Sequence, residues 1–190
     1  VEAGYKVYVT SRREIVSHNP NLIYLHGNGK DLDWLESEIK GISFLACFDF
    51  IYHSSDEFKE KSFRLLELSK QYFLISSYRS YSVVSGETLT EENLLKDAKF
   101  RSYEIFEQDR YGYGKAQEEN FLRSLGRNDW TIIRPTMTFS KNRFQFFFGD
   151  NFDVSRAVRG VKTALPKSVI SKRTNITYGK DVAKMLIKLV

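Results

Sequence analysis

Short apolar runs alternate with amphipathic stretches along this chain. Residues 6–11 (KVYVTS) are rich in β-branched and aromatic side chains and follow Gly4, as a strand follows a helix C-cap. Residues 21–25 (NLIYL) form a second apolar run, closed by His-Gly-Asn-Gly. Across residues 32–39 the apolar positions Leu32, Leu35 and Ile39 share one side of a helix, and Gly41 stops it. Residues 42–48 (ISFLACF) read as a third, fully buried strand. Ser54-Ser55-Asp56-Glu57 supplies N-cap chemistry for a helix over 56–69. Residues 72–76 (YFLIS) predict a strand, 111–125 a helix, and 131–133 a strand leading into Arg134-Pro135. Asp181 opens a last amphipathic helix over 182–189. Between them, residues 78–110 form a long polar connection rich in Ser and Glu, with at most a short helix.

Strands alternating with helices predict an α/β fold with a doubly wound, mainly parallel sheet. Its strands are expected near 6–11, 21–25, 42–48, 72–77 and 130–134. A length of 190 residues suits one domain with a real core. No internal repeat, low-complexity tract or linker divides it. The first five residues read as the tail of a helix, and nothing follows the last one, so the expectation is a domain cut at both ends.

Composition narrows the class. A hydrophobic content of 42% and an aromatic content of 15% exclude a disordered chain. No apolar run is long enough to span a membrane, and no signal-peptide pattern opens the chain. The single Cys47 excludes an internal disulfide and a multi-cysteine zinc site, and its apolar run reads as a buried structural position. Together these point to the cytoplasm, where the sequon Asn175-Ile-Thr177 carries no meaning. The three histidines, His18, His26 and His53, lack metal-ligand spacing, so no metal is expected. A net charge of +5 suits an anionic ligand and permits nucleic acid. Yet the basic residues are scattered, with only Arg12-Arg13 and Lys172-Arg173 standing out as pairs. The aromatic run at residues 144–148 (FQFFF) reads as core or interface packing rather than a base-stacking platform.

One spacing carries candidate chemistry. In Tyr111-Gly-Tyr-Gly-Lys115 a tyrosine and a lysine four residues apart share one face of a helix. An ammonium there favours the phenolate, which suits the tyrosine to move a proton on or off a sugar or alcohol oxygen. Ser76-Ser77, at the end of a predicted strand, offers a hydroxyl to hold that oxygen. With 11 tyrosines such a spacing also arises by chance, and then Tyr111 is a helix-surface aromatic and Lys115 a solvated charge. Asp49 reads equally as a cleft-facing carboxylate or as a structural hydrogen-bond acceptor.

The order of the pieces resembles the extended short-chain dehydrogenase/reductase family, of the NAD-dependent epimerase/dehydratase type. Gly4-Tyr-Lys-Val-Tyr-Val-Thr-Ser-Arg12 is similar to its second Rossmann strand, and Lys40-Gly41-Ile-Ser-Phe-Leu-Ala46 to a helix end and fourth strand. Phe73-Leu-Ile-Ser-Ser77-Tyr-Arg-Ser-Tyr81 is similar to the strand that ends in the active-site Ser/Thr. Tyr111-Gly-Tyr-Gly-Lys115 is similar to the catalytic helix, and Trp130-Thr-Ile-Ile-Arg-Pro135 to the sixth strand and its Arg-Pro turn. Asn175-Ile-Thr-Tyr-Gly-Lys-Asp181-Val-Ala183 resembles the segment that closes the core. Several features depart from the family. The glycine-rich Gly-x-x-Gly-x-x-Gly loop and most of the C-terminal substrate-binding part are absent. Asn28 stands where an Asp usually contacts the adenine, and Cys47-Phe-Asp-Phe50 replaces small residues beside the cofactor.

The resemblance implies a catalytic set of Ser77, Tyr111 and Lys115. Tyr111 is the acid/base, Lys115 binds the nicotinamide ribose, and Ser77 binds the reacting oxygen. Cofactor contacts fall on Ser11, Arg12, Arg13, Asn28, Ser76, Tyr111, Lys115 and Pro135. After the second strand an acid selects NAD, whereas arginines accommodate the 2′-phosphate of NADP. Ser11-Arg12-Arg13 therefore favours NADP over NAD. The function implied is epimerase, dehydratase or reductase activity on a nucleotide sugar or related alcohol or carbonyl, with a homodimer as one open assembly. The other reading is a non-catalytic RNA-binding or regulatory protein on the same fold.

Overall fold

Val7–Ser11 (β1) and Leu22–His26 (β2) pair in parallel, with Val7 opposite Leu22 and Ser11 opposite His26. Phe44–Asp49 (β3), Ser69–Ile75 (β4) and Trp130–Ile133 (β5) form a second parallel ladder in the order β3-β4-β5. This computed structural model describes residues 1–81, 109–141, 143–144, 151–169, 173 and 175–190. They fall in two compact units, Val1–Ile133 and Arg134–Val190.

Parallel neighbours need long crossovers, and in the β3-β4-β5 ladder helices supply them, whereas residues 12–21 join β1 to β2 without one. Leu32–Glu38 (α1) lies between β2 and β3, Ser55–Glu67 (α2) between β3 and β4, and Arg110–Ser124 (α3) between β4 and β5. Their apolar faces meet the sheet in a core of Leu32, Phe58, Leu65, Leu66, Tyr72, Leu74 and Leu122. Each fully buried Leu or Phe there contributes roughly 1.5–3 kcal/mol. Phe48 and Phe73, paired across β3 and β4, stack at 4.5 Å. The first unit is thus Rossmann-like α/β, with every strand pair parallel.

Local chemistry sets the helix ends. Ser54 Oγ accepts from the Glu57 N–H, and the Glu57 carboxylate accepts from the Ser54 N–H at 2.9 Å, a full capping box at the start of α2. Asp109 caps α3 by accepting from the Gly112 N–H at 2.8 Å. Gly126 then ends α3 with a positive φ of 65° that other residues adopt only with strain.

Three sequence expectations shift. β3 is not fully buried: Leu45 is exposed and Asp49 is its one buried residue. Its first residues pair with the polar start of β4, Phe44 opposite Ser69, beyond the core. Cys47 is accordingly half-buried, packed against the core's edge. β4 begins earlier than expected and stops at Ile75, because Ser77 turns the chain into a 3-10 turn, Tyr78–Ser80.

In the second unit Met137–Phe139 (β6) and Ile176–Tyr178 (β7) pair in parallel, and the Thr136 and Thr177 hydroxyls bond at 3.0 Å. Phe139 packs on Tyr178 and Phe144. Phe152–Val158 (α4) and the 3-10 turn Lys167–Val169 precede β7. The last helix, Gly179–Ile187 (α5), begins earlier than expected, with Asp181 inside its first turn. Residues 82–108 of the polar connection, residues 145–148 of the aromatic run and Lys172 lie outside the described residues.

Candidate functional site

The C-terminal ends of β1, β2, β3 and β4 carry most of the residues singled out by sequence. That is the edge where open parallel α/β sheets bind ligands. After β1, Ser11 Oγ accepts from the Arg13 N–H at 3.1 Å and donates to the Arg13 carbonyl, a local turn that leaves Arg12 and Arg13 exposed. The Gly27 N–H bonds the Ser11 carbonyl at 2.9 Å, so the turns after β1 and β2 are joined. Asn28 uses its side-chain carbonyl to accept from the Lys30 N–H. At Gly29 a Cβ would lie 2.8 Å from both Thr10 Oγ1 and Ile51 Cδ1, so a larger residue there would have to displace these two side chains.

Ser76 and Ser77 follow β4 and are both buried. They do different things. Ser76 Oγ donates to Glu119 on α3, and its N–H bonds the Ile133 carbonyl at 2.7 Å. Ser77 Oγ accepts from the Arg79 N–H at 3.2 Å and caps the turn. Arg79 then holds Asp109, the N-cap of α3, through two bonds of 3.0 and 2.7 Å. Its guanidinium also lies 5.3 Å from the centre of the Tyr111 ring. A bidentate arginine on a carboxylate is a geometrically specific contact. So the Ser77 turn and the Tyr111 end of α3 are clamped together by one side chain.

Tyr111 is 38% exposed, with its ring 5.5 Å from that of Tyr52. Lys115 is buried at 2% exposure. Its ammonium donates to Glu118 Oε2 at 2.8 Å and lies 5.7 Å from the Tyr52 ring centre. Tyr52 therefore touches both members of the motif. A Cβ at position 114 would sit 3.1 Å from the Tyr52 hydroxyl, so Gly114 makes room for that ring.

Behind Lys115 lies a buried polar cluster. Asp49 accepts from the Tyr72 hydroxyl at 2.7 Å, from the Ile51 N–H at 2.8 Å, and meets His53 Nε2 at 3.2 Å. Burial acts to raise the Asp49 carboxyl, but His53, Tyr72 and the Ile51 N–H outweigh it and hold it below the ordinary range. Burial, with Asp49 beside it, pushes the Tyr72 phenol well up. Burial likewise pushes the Cys47 thiol up to about 12, with Asp49 adding, which makes it inert. Burial also raises Glu118 to about 7, against the pull of Lys115 and His53. Among the described residues Glu118 Oε1 and His53 Nδ1 have no hydrogen-bond partner, and both residues are fully buried.

Sequence reading left Glu118, Glu119, His53 and Tyr52 without a role. The available signal was Glu118 three residues after Lys115, a spacing that places the two side chains together on one helix face. A glutamate on a helix reads as solvated by default, which hid it. Pro135 lies in the second unit, just before β6. Among the described residues no His, Cys, Asp and Glu cluster could hold a metal ion, and no helix is long and apolar enough to cross a membrane.

No protein-family model matches this chain, and no curated protein matches it in sequence. Solved structures do match in fold. All of the chain aligns with 64% of a candidate epimerase from Burkholderia cenocepacia J2315, at a TM-score of 0.65 and 17% identity. A GDP-L-fucose synthetase from Naegleria fowleri, solved bound to NADP, aligns over 87% of this chain and 63% of its own, at a TM-score of 0.52 and 12% identity. The chain thus spans a little under two thirds of the length of either protein. At these identities the likeness establishes a shared Rossmann-like fold.

Proposed function

We propose that this chain forms part of an NADP-dependent epimerase, dehydratase or reductase acting on a nucleotide sugar or a related alcohol or carbonyl. The observation that carries the reading is the Arg79 clamp, which joins the Ser77 turn to the Tyr111 end of α3. The likeness in fold to an epimerase candidate and to an NADP-bound fucose synthetase supports it.

In this reading Ser77 orients the reacting oxygen of the substrate and Tyr111 moves its proton. The half-exposed phenol suits a group that must meet a substrate. Arg12 and Arg13 would hold the 2′-phosphate of NADP, and Asn28 would face the adenine. Among the described residues neither arginine is engaged in an ion pair, and both are exposed, which fits a phosphate. When bound, the cofactor supplies the hydride chemistry. Lys115 fits less directly, since its ammonium is paired with Glu118 and must leave that pair to reach a ribose.

Tyr111→Phe in the full-length protein tests the reading. The ring keeps its packing on Tyr52 while the proton path is lost. Turnover of a nucleotide-sugar panel, followed by NADPH absorbance, falls by about 10²–10⁴-fold, with nucleotide affinity nearly unchanged. Equal turnover in variant and wild type refutes the catalytic role. The Lys115–Glu118 pair favours one second reading, a non-catalytic binder. Nucleotide binding with no turnover on any of the panel is the result expected of it.

A further inference from the structure

We propose that Glu118 is a positioning residue for Lys115: as a carboxylate it holds the ammonium in the interior, and on taking up a proton it releases the ammonium toward the Tyr111 side. This rests on the reading of Lys115 as a partner of cofactor and tyrosine.

The interior position of the lysine depends on the Glu118 carboxylate. Its ammonium lies 2.8 Å from Glu118 Oε2, in a site where Lys115 is 2% and Glu118 0% exposed. A buried ammonium is tolerable there only while a carboxylate compensates it. Once Glu118 is neutral, the flexible four-carbon stem of Lys115 finds better solvation toward Tyr111, the exposed neighbour on the same helix face.

One oxygen of the buried Glu118 is left uncompensated. Among the described residues Glu118 Oε1 is fully buried and has no hydrogen-bond partner, while His53 Nε2 is engaged 3.2 Å from Asp49 Oδ2. A buried carboxylate oxygen with no donor is costly as an anion, and a proton on Oε1 removes that cost. The proton comes from solvent, converts the carboxylate to a carboxylic acid, and leaves the Lys115 charge unchanged. The groups acting on Glu118 from each side are Lys115 on α3, Asp49 at the end of β3, His53 beyond it, and Tyr72 on β4. Tyr52 is coupled to it as well, and from α2 Glu57 acts on Tyr52.

Carboxyl-carbon NMR on the full-length protein without nucleotide reads Glu118 directly. The resonance should move to the protonated position as the pH falls through about 7. A Glu118 resonance that stays at the carboxylate position down to pH ~5 overturns the proposal. NADPH affinity is the second readout. Wild-type affinity should rise about tenfold from pH ~8 to ~6, while Glu118→Gln binds tightly across that range because its lysine is already released. Identical pH profiles in variant and wild type overturn it. The wild-type titration needs no variant, so a poorly folding Glu118→Gln leaves the test intact. Turnover enters neither measurement, so a failure of the catalytic reading under Tyr111→Phe is seen separately.

Discussion

The ammonium of Lys115 and the carboxylate of Glu118 lie 2.8 Å apart within one turn of α3, both buried, with the ammonium 5.7 Å from the centre of the Tyr52 ring. The lysine also shares a helix face with Tyr111 one turn earlier, yet its salt bridge runs the other way. Spacing made both partners possible, and burial of Glu118 selected one. A desolvated carboxylate needs a cation more than a half-exposed phenol does.

In the proposed reading, cofactor preference is set at the turn after β1. A 2′-phosphate carries close to two negative charges, and each charge-assisted contact contributes roughly 1.5–3 kcal/mol. The full-length protein should bind NADPH about tenfold or more tightly than NADH, and Arg12→Ala should remove most of that gap. Fluorescence titration of both nucleotides measures it, and equal wild-type affinities return the arginines to the solvated surface.

The core should be sensitive at Phe58. It is fully buried, its ring lies edge-on to Phe121 at 6.4 Å, and it packs near His53. Phe58→Ala removes a whole ring where helix and sheet leave little room to collapse. A loss of about 3–5 kcal/mol is expected in urea unfolding, with an unchanged m-value. A loss below about 1 kcal/mol would mean that the site refills.

The capping box at α2 gives a smaller, cleaner effect. Ser54→Ala removes the acceptor for the Glu57 N–H and should cost about 0.5–2 kcal/mol. Ser54→Gly should cost only a few tenths. Thermal melts of the two variants against wild type measure both losses, and an unchanged melting temperature in Ser54→Ala would show that the cap contributes nothing.

Two glutamates should bend the pH–stability curve in opposite directions. The Ser54 N–H, opposed by burial and helped by Lys30, lowers Glu57 from 4.5 to about 2. Its stabilisation is present above pH 4.5 and is lost as the pH falls toward 2. Glu118 is raised instead, from 4.5 to about 7, so its contribution is full below pH 4.5 and is lost as the pH rises through 7. Glu57→Gln should flatten the acid limb, and Glu118→Gln the decline toward neutrality. Denaturant midpoints across pH separate them, and parallel curves for both variants and wild type would refute both assignments.

The alternation of apolar runs and amphipathic stretches determined the five strands and three helices of the first unit and hence the parallel α/β class, but not β6, β7 or α4 of the second unit. Those signals are local, because a side chain's period along the chain reports which face it shows to the core. The Ser54 cap was within reach of sequence for the same reason. Tertiary structure alone decided the partners of the polar residues. Asp49, Tyr72, Lys115 and Glu118 come from two strands and a helix far apart in sequence, and only packing of α3 onto the sheet puts them in one dry interior. The same holds for Arg79, whose reach to Asp109 crosses 30 residues. A sequence pattern registers that a position is charged, but whether that charge meets water or another charge depends on the fold around it.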